Sequence, residues 1–423
     1  MNAQPALPLL QRMFGPREGL DLARMIVVTG MVALSFKTAP WQILHALGWI
    51  LLLVSMVRER RWTVPGPPRW AIPWAAFAGW VLLASALGPD PGEALHDSKK
   101  LLNLLAVFLI GAVLRDAGDG LRMVSAVCAV SSLLAVFGLY QYAVSPDHLA
   151  YRSEGVSHHM THAGMLMVTL SLVLPHLRLR RRIPDLLLWG YTMLGSAALL
   201  ATLTRSAWLG MAAALVVVIG FRNPRGLILL PVGMVLILAV VPDLRGRALS
   251  LLDVREDYSA VQRWSIYRAG LRMVADHPLT GVGGRDQVKG QYARYAGTPP
   301  QPPPTPDGSP PVPYPRPYHL HDNLLQIAAA FGLPALLAWL VALGAWLRQL
   351  LRVLPRREEA PAGPEVLRRD VLVGALAAGT AFLTMGMLEY NFGDSEVFAL
   401  FALVLAIPFA LDRARRPTAV LPG

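Results

Sequence analysis

The stretch HLHDNLLQIAAAFGLPALLAWL, His319 to Leu340, decides the architecture. Five mostly polar residues, His319 to Asn323, run straight into Leu324 to Leu340, which holds no charged side chain. About 20 mainly apolar residues in a helix cross the roughly 30 Å of hydrocarbon in a bilayer, so this segment reads as a membrane span with its histidines at the outer boundary. Outward from it the pattern recurs in about twelve apolar blocks, centred near Val28, Trp49, Gly79, Phe108, Leu133, Val168, Gly195, Ala214, Leu236, Ala338, Gly379 and Leu403. The composition of the 423 residues agrees, with 54% hydrophobic and 16% charged, where a soluble domain carries about a quarter charged. The mean hydropathy is +0.44. The expected fold is all-α, a polytopic membrane protein of about twelve transmembrane helices with one long outer loop between the ninth and tenth spans. Residues 1–243 would hold spans one to nine, 244–318 the loop, with a surface helix and a proline-rich segment, and 319–423 the last three spans and the C-terminus.

A formal charge of +12, from 39 Lys and Arg against 27 Asp and Glu, is also what a nucleic-acid binder shows. Here the basic residues sit between apolar blocks instead: Arg58, Arg60, Arg61 and Arg69, then Arg115 and Arg122, Arg178 to Arg182, Arg222 and Arg225, Arg348 to Arg369, and Arg413 to Arg416. Every second loop is basic, which places both termini in the cytoplasm and argues against a nucleic-acid partner. Met1 to Leu20 carries Arg12 and Arg17 but no small-residue cleavage site, and reads as a retained cytoplasmic start. The lone Cys128 excludes a disulfide framework within the chain and a cysteine-based metal site.

Three segments stand out on the opposite, outer side: Ser145 to Thr161, Thr204 to Ser206, and Asp243 to Tyr318. In the long one, Ser259 and Gln262 form a capping box ahead of an amphipathic run, Arg263, Tyr267, Leu271 and Val274. Its end, Thr298 to Pro317, is too rich in proline for a helix or sheet. No internal repeat is visible.

Seven of the ten histidines, His148, His158, His159, His162, His277, His319 and His321, fall in or beside these outer segments. One histidine is usually structural, but seven at one face point to a site. Arg205 follows an apolar run at the mouth of a span; it either snorkels harmlessly or meets an anion, since an arginine among helices is costly without a partner. Arg263 could fork onto phosphate oxygens, while Arg268 and Arg272 read as a solvated helix face. The glycine-bearing turn Pro278 to Gly284 is either an anion cradle or a helix stop. For His321 three readings stand: a general base beside Asp322, a metal site of His319, His321 and Asp322 joined by His158, His159 or His162, or an interfacial residue next to a helix capped by Asp322 or Asn323.

The run His321 to Gln326 followed by Phe331 to Ala335 resembles the signature of the bacterial O-antigen ligase and polymerase family. Gln262, Arg263 and Trp264, with His277 to Gly283, resemble that family's periplasmic-loop motif; Leu203 to Trp208 matches its arginine at the end of a span, and Gly155 to Ala163 its earlier outer loop. The four patches keep the family's order over roughly Arg152 to Leu340. Two positions depart from it: Asp322 stands where the family has asparagine, serine or glutamine, and Ala335 replaces the second glycine of the helix motif. Asp322 would put a negative charge beside His321, raising its basicity or weakening diphosphate binding.

The resemblance implies a metal- and cofactor-independent glycosyltransferase of the bacterial inner membrane. It would move a glycan from undecaprenyl diphosphate to lipid A core on the periplasmic face in lipopolysaccharide biosynthesis. It implies diphosphate binding by Arg205 and Arg263 and base catalysis by His321, with His319, His159, Arg152 and Asp322 as further candidates. Relatives that polymerise O-antigen or glycosylate protein share this donor chemistry. From other classes, a lipid-linked glycan transporter would need ionisable groups deep in the spans and broken midplane helices, neither evident here; a metal-dependent hydrolase would hold stoichiometric zinc or manganese.

Overall fold

The computed structural model describes residues 16–34, 38–59, 70–146, 152–178, 183–240, 258–297, 319–356 and 363–415, with 245 and 317 between them. Their helices are α1 (Pro16–Leu34), α2 (Thr38–Glu59), α3 (Ala71–Ala86), α4 (Pro91–Asp97), α5 (Leu105–Val113), α6 (Ala117–Val144), α7 (His159–Val173), α8 (Ile183–Ala201), α9 (Arg205–Arg222), α10 (Leu229–Val240), α11 (Tyr258–Asp276), α12 (Arg285–Ala296), α13 (Asn323–Val353), α14 (Pro364–Gly386) and α15 (Ser395–Arg415). No strand occurs among the described residues. All twelve expected span centres fall inside helices. Of these, α6, α9, α13 and α15 are long and apolar enough to cross a membrane, and shorter apolar runs lie in α1, α2, α3 and α8. The chain is an all-helical polytopic membrane protein. The N-terminal start, the basic clusters at 60–69 and 179–182, His148 and the proline-rich stretch 298–316 lie outside the described residues.

Lipid tails are as apolar as leucine, so helices in a bilayer associate by close packing of small residues. Gly210 of α9 sits where a Cβ would come 2.8 Å from the Ala381 carbonyl of α14, and Gly374 of α14 where one would come 2.8 Å from the Leu172 carbonyl of α7. Arg369 of α14 donates to the Phe221 carbonyl of α9 at 3.1 Å, so α9 and α14 are antiparallel. At that same end Arg222 donates to the carbonyls of Pro175 and Leu177 (2.9 and 2.6 Å), and Arg178 pairs with Asp370. Three arginines of the basic segments thus gather at one end of the bundle, while α14 delivers Glu389 to the other.

The tenth expected span holds the main surprise. α13 breaks at Gly332 (φ 85°, ψ 171°), two residues before Pro334, because proline has no N–H and its ring displaces the carbonyl four residues back, that of Ala330. The carbonyls released by the break are taken up by the glycine-bearing turn after α11. Val282 N–H donates to Ala329 (2.8 Å), Gly283 and Gly284 N–H to Ala330 (3.1 and 2.9 Å), and in return Leu333 N–H donates to Pro278 (2.8 Å). Trp80 Nε1 of α3 donates to both Leu279 and Phe331 carbonyls (3.2 and 3.1 Å). This approach needs glycine at Gly281 (φ 60°), whose Cβ would come 2.5 Å from the Ala329 carbonyl oxygen.

Four sequence expectations change here. A broken span does exist, and its freed backbone is satisfied by protein, as non-helical backbone in a membrane protein requires. The glycine turn is no anion cradle, since the N–H groups of Val282, Gly283 and Gly284 already have acceptors. α11 begins at Tyr258, ahead of Ser259; a capping signal fixes a helix start only to within a residue or two. Its buried face is Ile266, Ala269 and Met273, whereas Leu271 is exposed. These three form a second core with Val282, Tyr292, Ala329 and Ala330. The first turns of α13 therefore pack into this second core, and the exposed apolar row Leu333, Leu337, Leu340 and Val341 starts after the break.

Candidate active site

The entry to α13 is fixed before any chemistry is considered. Asp322 caps the helix, accepting from Leu325 N–H at 2.6 Å. Leu320 N–H donates to Gln326 Oε1 (2.8 Å). Asn323 Nδ2 donates to Asn391 Oδ1 (2.7 Å) and Asn323 Oδ1 accepts from Phe392 N–H (3.1 Å), which ties this entry to the segment following α14. His321 is held in the left-handed region (φ 53°), a conformation that costs a non-glycine residue about 1–3 kcal/mol and persists where the surroundings enforce it. Tyr267 of α11 supplies part of that enforcement by donating to the His321 carbonyl at 3.3 Å.

The segment after α14 carries the residue that organises the site, Glu389. Its carboxyl is buried (6% of the side chain exposed) and meets three groups: His321 Nδ1 at 3.0 Å, His319 Nε2 at 3.4 Å and an Arg263 terminal nitrogen at 3.9 Å. Arg263 also donates to the Leu388 carbonyl at 2.7 Å. Burial pushes the Glu389 carboxyl up, but the hydrogen bond from His321 and the field of His321, His319 and Arg263 outweigh it and hold it at about 2. His319 is held at about 4, mainly by burial against the opposing pull of Glu389. Its Nδ1 accepts from His321 N–H at 3.2 Å, so the neutral ring carries its proton on Nε2, facing the carboxylate.

The same logic fixes His321. A carboxylate at Nδ1 keeps the proton on that nitrogen and leaves the Nε2 lone pair to take one. Asp322 is not the orienting carboxylate that sequence adjacency indicated. Burial raises its carboxyl, offset only in part by the N–H groups of Leu325 and Leu324, and its oxygen is spent on capping the helix start.

Both perturbed groups destabilise the fold in acid. Glu389 is depressed from 4.5 to about 2, so its stabilisation is complete above pH 4.5 and lost as pH falls toward 2. His319 is depressed from 6.5 to about 4; the unfolded chain takes up its proton first, and stability declines over that interval too. Thermal unfolding in detergent should show a Tm falling steadily from pH 6.5 to 2. In Glu389→Gln the part of the fall below pH 4.5 should shrink, on the order of 3 kcal/mol at full ionisation; an unchanged pH profile would contradict this role for Glu389.

Of the sequence candidates, His319, His321 and Arg263 meet around Glu389. Arg205 opens α9 five residues before Gly210, which packs on Ala381, so it lies at the Glu389 end of the bundle. Arg152 contacts His159 Nε2 at 3.0 Å and His159 Nδ1 lies 3.6 Å from Glu154. This pair forms its own cluster, connected to the 389–395 segment through Thr161, whose hydroxyl donates to Asp394. The His158 ring lies 4.0 Å from that of His159, tilted by 37°, and His162 is buried in α7. The mixed metal set drawn from these histidines is not assembled: the one three-residue group at metal-ligand spacing among the described residues is His319, His321 and Glu389, within 4.8 Å of one another. Arg268 lies over Trp264 and Arg272 donates to the Tyr295 carbonyl.

Sequence reading missed Glu389 and Tyr267 as site residues. A signal for Glu389 was present: it follows the apolar run ending at Leu388, in the loop that charge alternation assigns to the same side as His321.

Fold and site together define a helical membrane protein with a carboxylate-oriented histidine at one end of its bundle. Residues 190–340 match the family model described as O-antigen ligase. That stretch contains Arg205, Arg263 and His321, and Glu389 lies beyond it. No curated protein matches the chain.

Proposed function

We propose that the protein is an O-antigen ligase of the inner membrane, with about twelve spans, both termini cytoplasmic and the His321 end periplasmic. The observation that carries the chemistry is the 3.0 Å contact of His321 Nδ1 with buried Glu389, which leaves Nε2 to accept a proton from an acceptor hydroxyl. The hydroxyl oxygen then attacks the anomeric carbon of the donor glycan while the bond to the diphosphate breaks, and the diphosphate leaves with the electron pair. That leaving group is already a stable anion, so neutralising its charge is the largest contribution the protein can make. Arg263 and Arg205 are assigned to it. Arg263 has a second duty, because its contacts with Leu388 and Glu389 also hold the carboxylate in place.

The test is transfer from undecaprenyl diphosphate-linked glycan to lipid A core by purified protein in detergent, with no divalent metal. Core-linked product supports the ligase; a longer lipid-linked glycan would make the protein a polymerase, and flux across vesicles without transfer a transporter. One observation favours a metal reading, the spacing of His319, His321 and Glu389. Against it, the Arg263 guanidinium already faces the carboxylate. Elemental analysis should therefore find less than one zinc or manganese per chain, and a chelator should leave the rate unchanged; stoichiometric metal with chelator-sensitive transfer would reverse the assignment.

A further inference from the structure

A cleft of about 620 Å³, including the space at its open mouth, lies between α3, the Ser98–Leu104 turn, the break in α13 and the start of α15. Most of its wall is apolar, with Phe77 and Val81 from α3, Leu101 from the turn, Phe331 at the break and Phe398 from α15. Two cationic side chains, Arg285 and Lys100, share this wall with Asp97 and Tyr390.

Tyr390 joins the cavity to the site described above. It follows Glu389 directly, its ring centroid is 5.8 Å from that of His319, and the Arg285 guanidinium carbon lies 5.9 Å from the same ring. The backbone that places Arg285 here is the glycine turn: Gly284 donates to the broken α13, and Arg285 is the first residue of α12. Arg285 Nε is buried with no hydrogen-bond partner among the described residues. An unsatisfied buried charged donor is costly, and a guanidinium is suited to forked contacts with phosphate oxygens. Asp97 is the nearby counter-charge, but burial and then the adjacent Asp286 carboxyl raise it, which weakens its hold on Arg285. Arg263, by contrast, is already balanced by Glu389, so it alone cannot neutralise a diphosphate.

We infer that this cavity takes the first part of an isoprenoid chain and that Arg285, assisted by Lys100, binds the phosphate attached to it. The inference rests on the lipid-diphosphate donor of the proposed function and adds a ligand that the arginine pattern of the sequence did not single out. An apolar chain in the cavity with its phosphates at Arg285 would direct the sugar past Tyr390 toward His321.

The test uses the full chain in detergent and undecaprenyl diphosphate without glycan as the probe, with bound lipid read by native mass spectrometry. Arg285→Gln should weaken binding about tenfold or more, the loss expected for a charged hydrogen bond. Leu101→Trp, which fills the cavity and leaves the cations alone, should weaken it too; size-exclusion profiles matching the native protein confirm that both variants fold. Native affinity in both variants would overturn the inference. So would dioleoyl phosphatidylglycerol competing equally with undecaprenyl diphosphate, since the cavity would then be a site for bulk membrane phospholipid. Failure of the donor reading itself would look different: undecaprenyl diphosphate would bind and respond to Arg285→Gln, yet the glycan-bearing lipid would give no transfer in the native protein.

Discussion

His321→Ala should lower glycan transfer by a factor of about 10²–10⁴, the range that a positioned general base contributes, while the protein remains inserted and folded. Glu389→Gln should come close to it. The amide keeps the shape of the side chain but donates from one end, so it no longer enforces the Nδ1–H form of His321 at 3.0 Å and no longer stabilises the imidazolium formed when the acceptor proton is taken. The two residues act as a unit, so the double variant should be little worse than His321→Ala alone. Rates measured over a pH series with saturating donor would decide the matter. A His321→Ala protein of native rate removes the base assignment. A double variant whose losses multiply would separate Glu389 from His321 and leave it a purely structural role.

The second large effect is on the fold. Gly332→Val puts a β-branched residue at φ 85°, with a Cβ directed into the Leu279 carbonyl oxygen. Relief requires the glycine turn to withdraw from α13. The hydrogen bonds from Val282, Gly283 and Gly284 would then be lost together, and carbonyls buried between the two cores would have no donors. A cost of about 3 kcal/mol or more is expected from backbone strain and unsatisfied groups combined, visible as a lower Tm or as protein that does not survive detergent extraction. Gly344→Ala is the matched control on the same helix, since a Cβ there meets nothing within 4 Å; it should be neutral or slightly stabilising. Equal behaviour of the two variants would mean that the break at Gly332 is not held by the turn.

Hydrophobic blocks and arginine spacing are properties of consecutive residues, and they were legible because a bilayer imposes its thickness on each helix separately. The all-helical class, the positions of the apolar helices and the gathering of Arg178, Arg222 and Arg369 at one end followed from that alone. His321 and Arg263 were legible as candidates because their neighbours in sequence also carry the family resemblance. Within α11 the same reading failed by one face: Leu271 is exposed and Ile266 buried, because that helix packs on the first turns of α13.

Asp322 illustrates the limit most sharply. Beside His321 in the chain, it is the carboxylate that sequence proposes for the base, yet it caps α13, and Glu389, 68 residues away, takes the orienting position. The glycine run before Arg285 likewise reads as either an anion cradle or a helix stop until the break in α13 claims its N–H groups. Sequence by itself determined the helices and which residue types gather at the ends of the bundle. Only the tertiary structure decided which carboxylate faces the histidine, which arginine is already balanced and where an unsatisfied one remains, because hydrogen-bond partners are chosen by distance in space after the spans have packed.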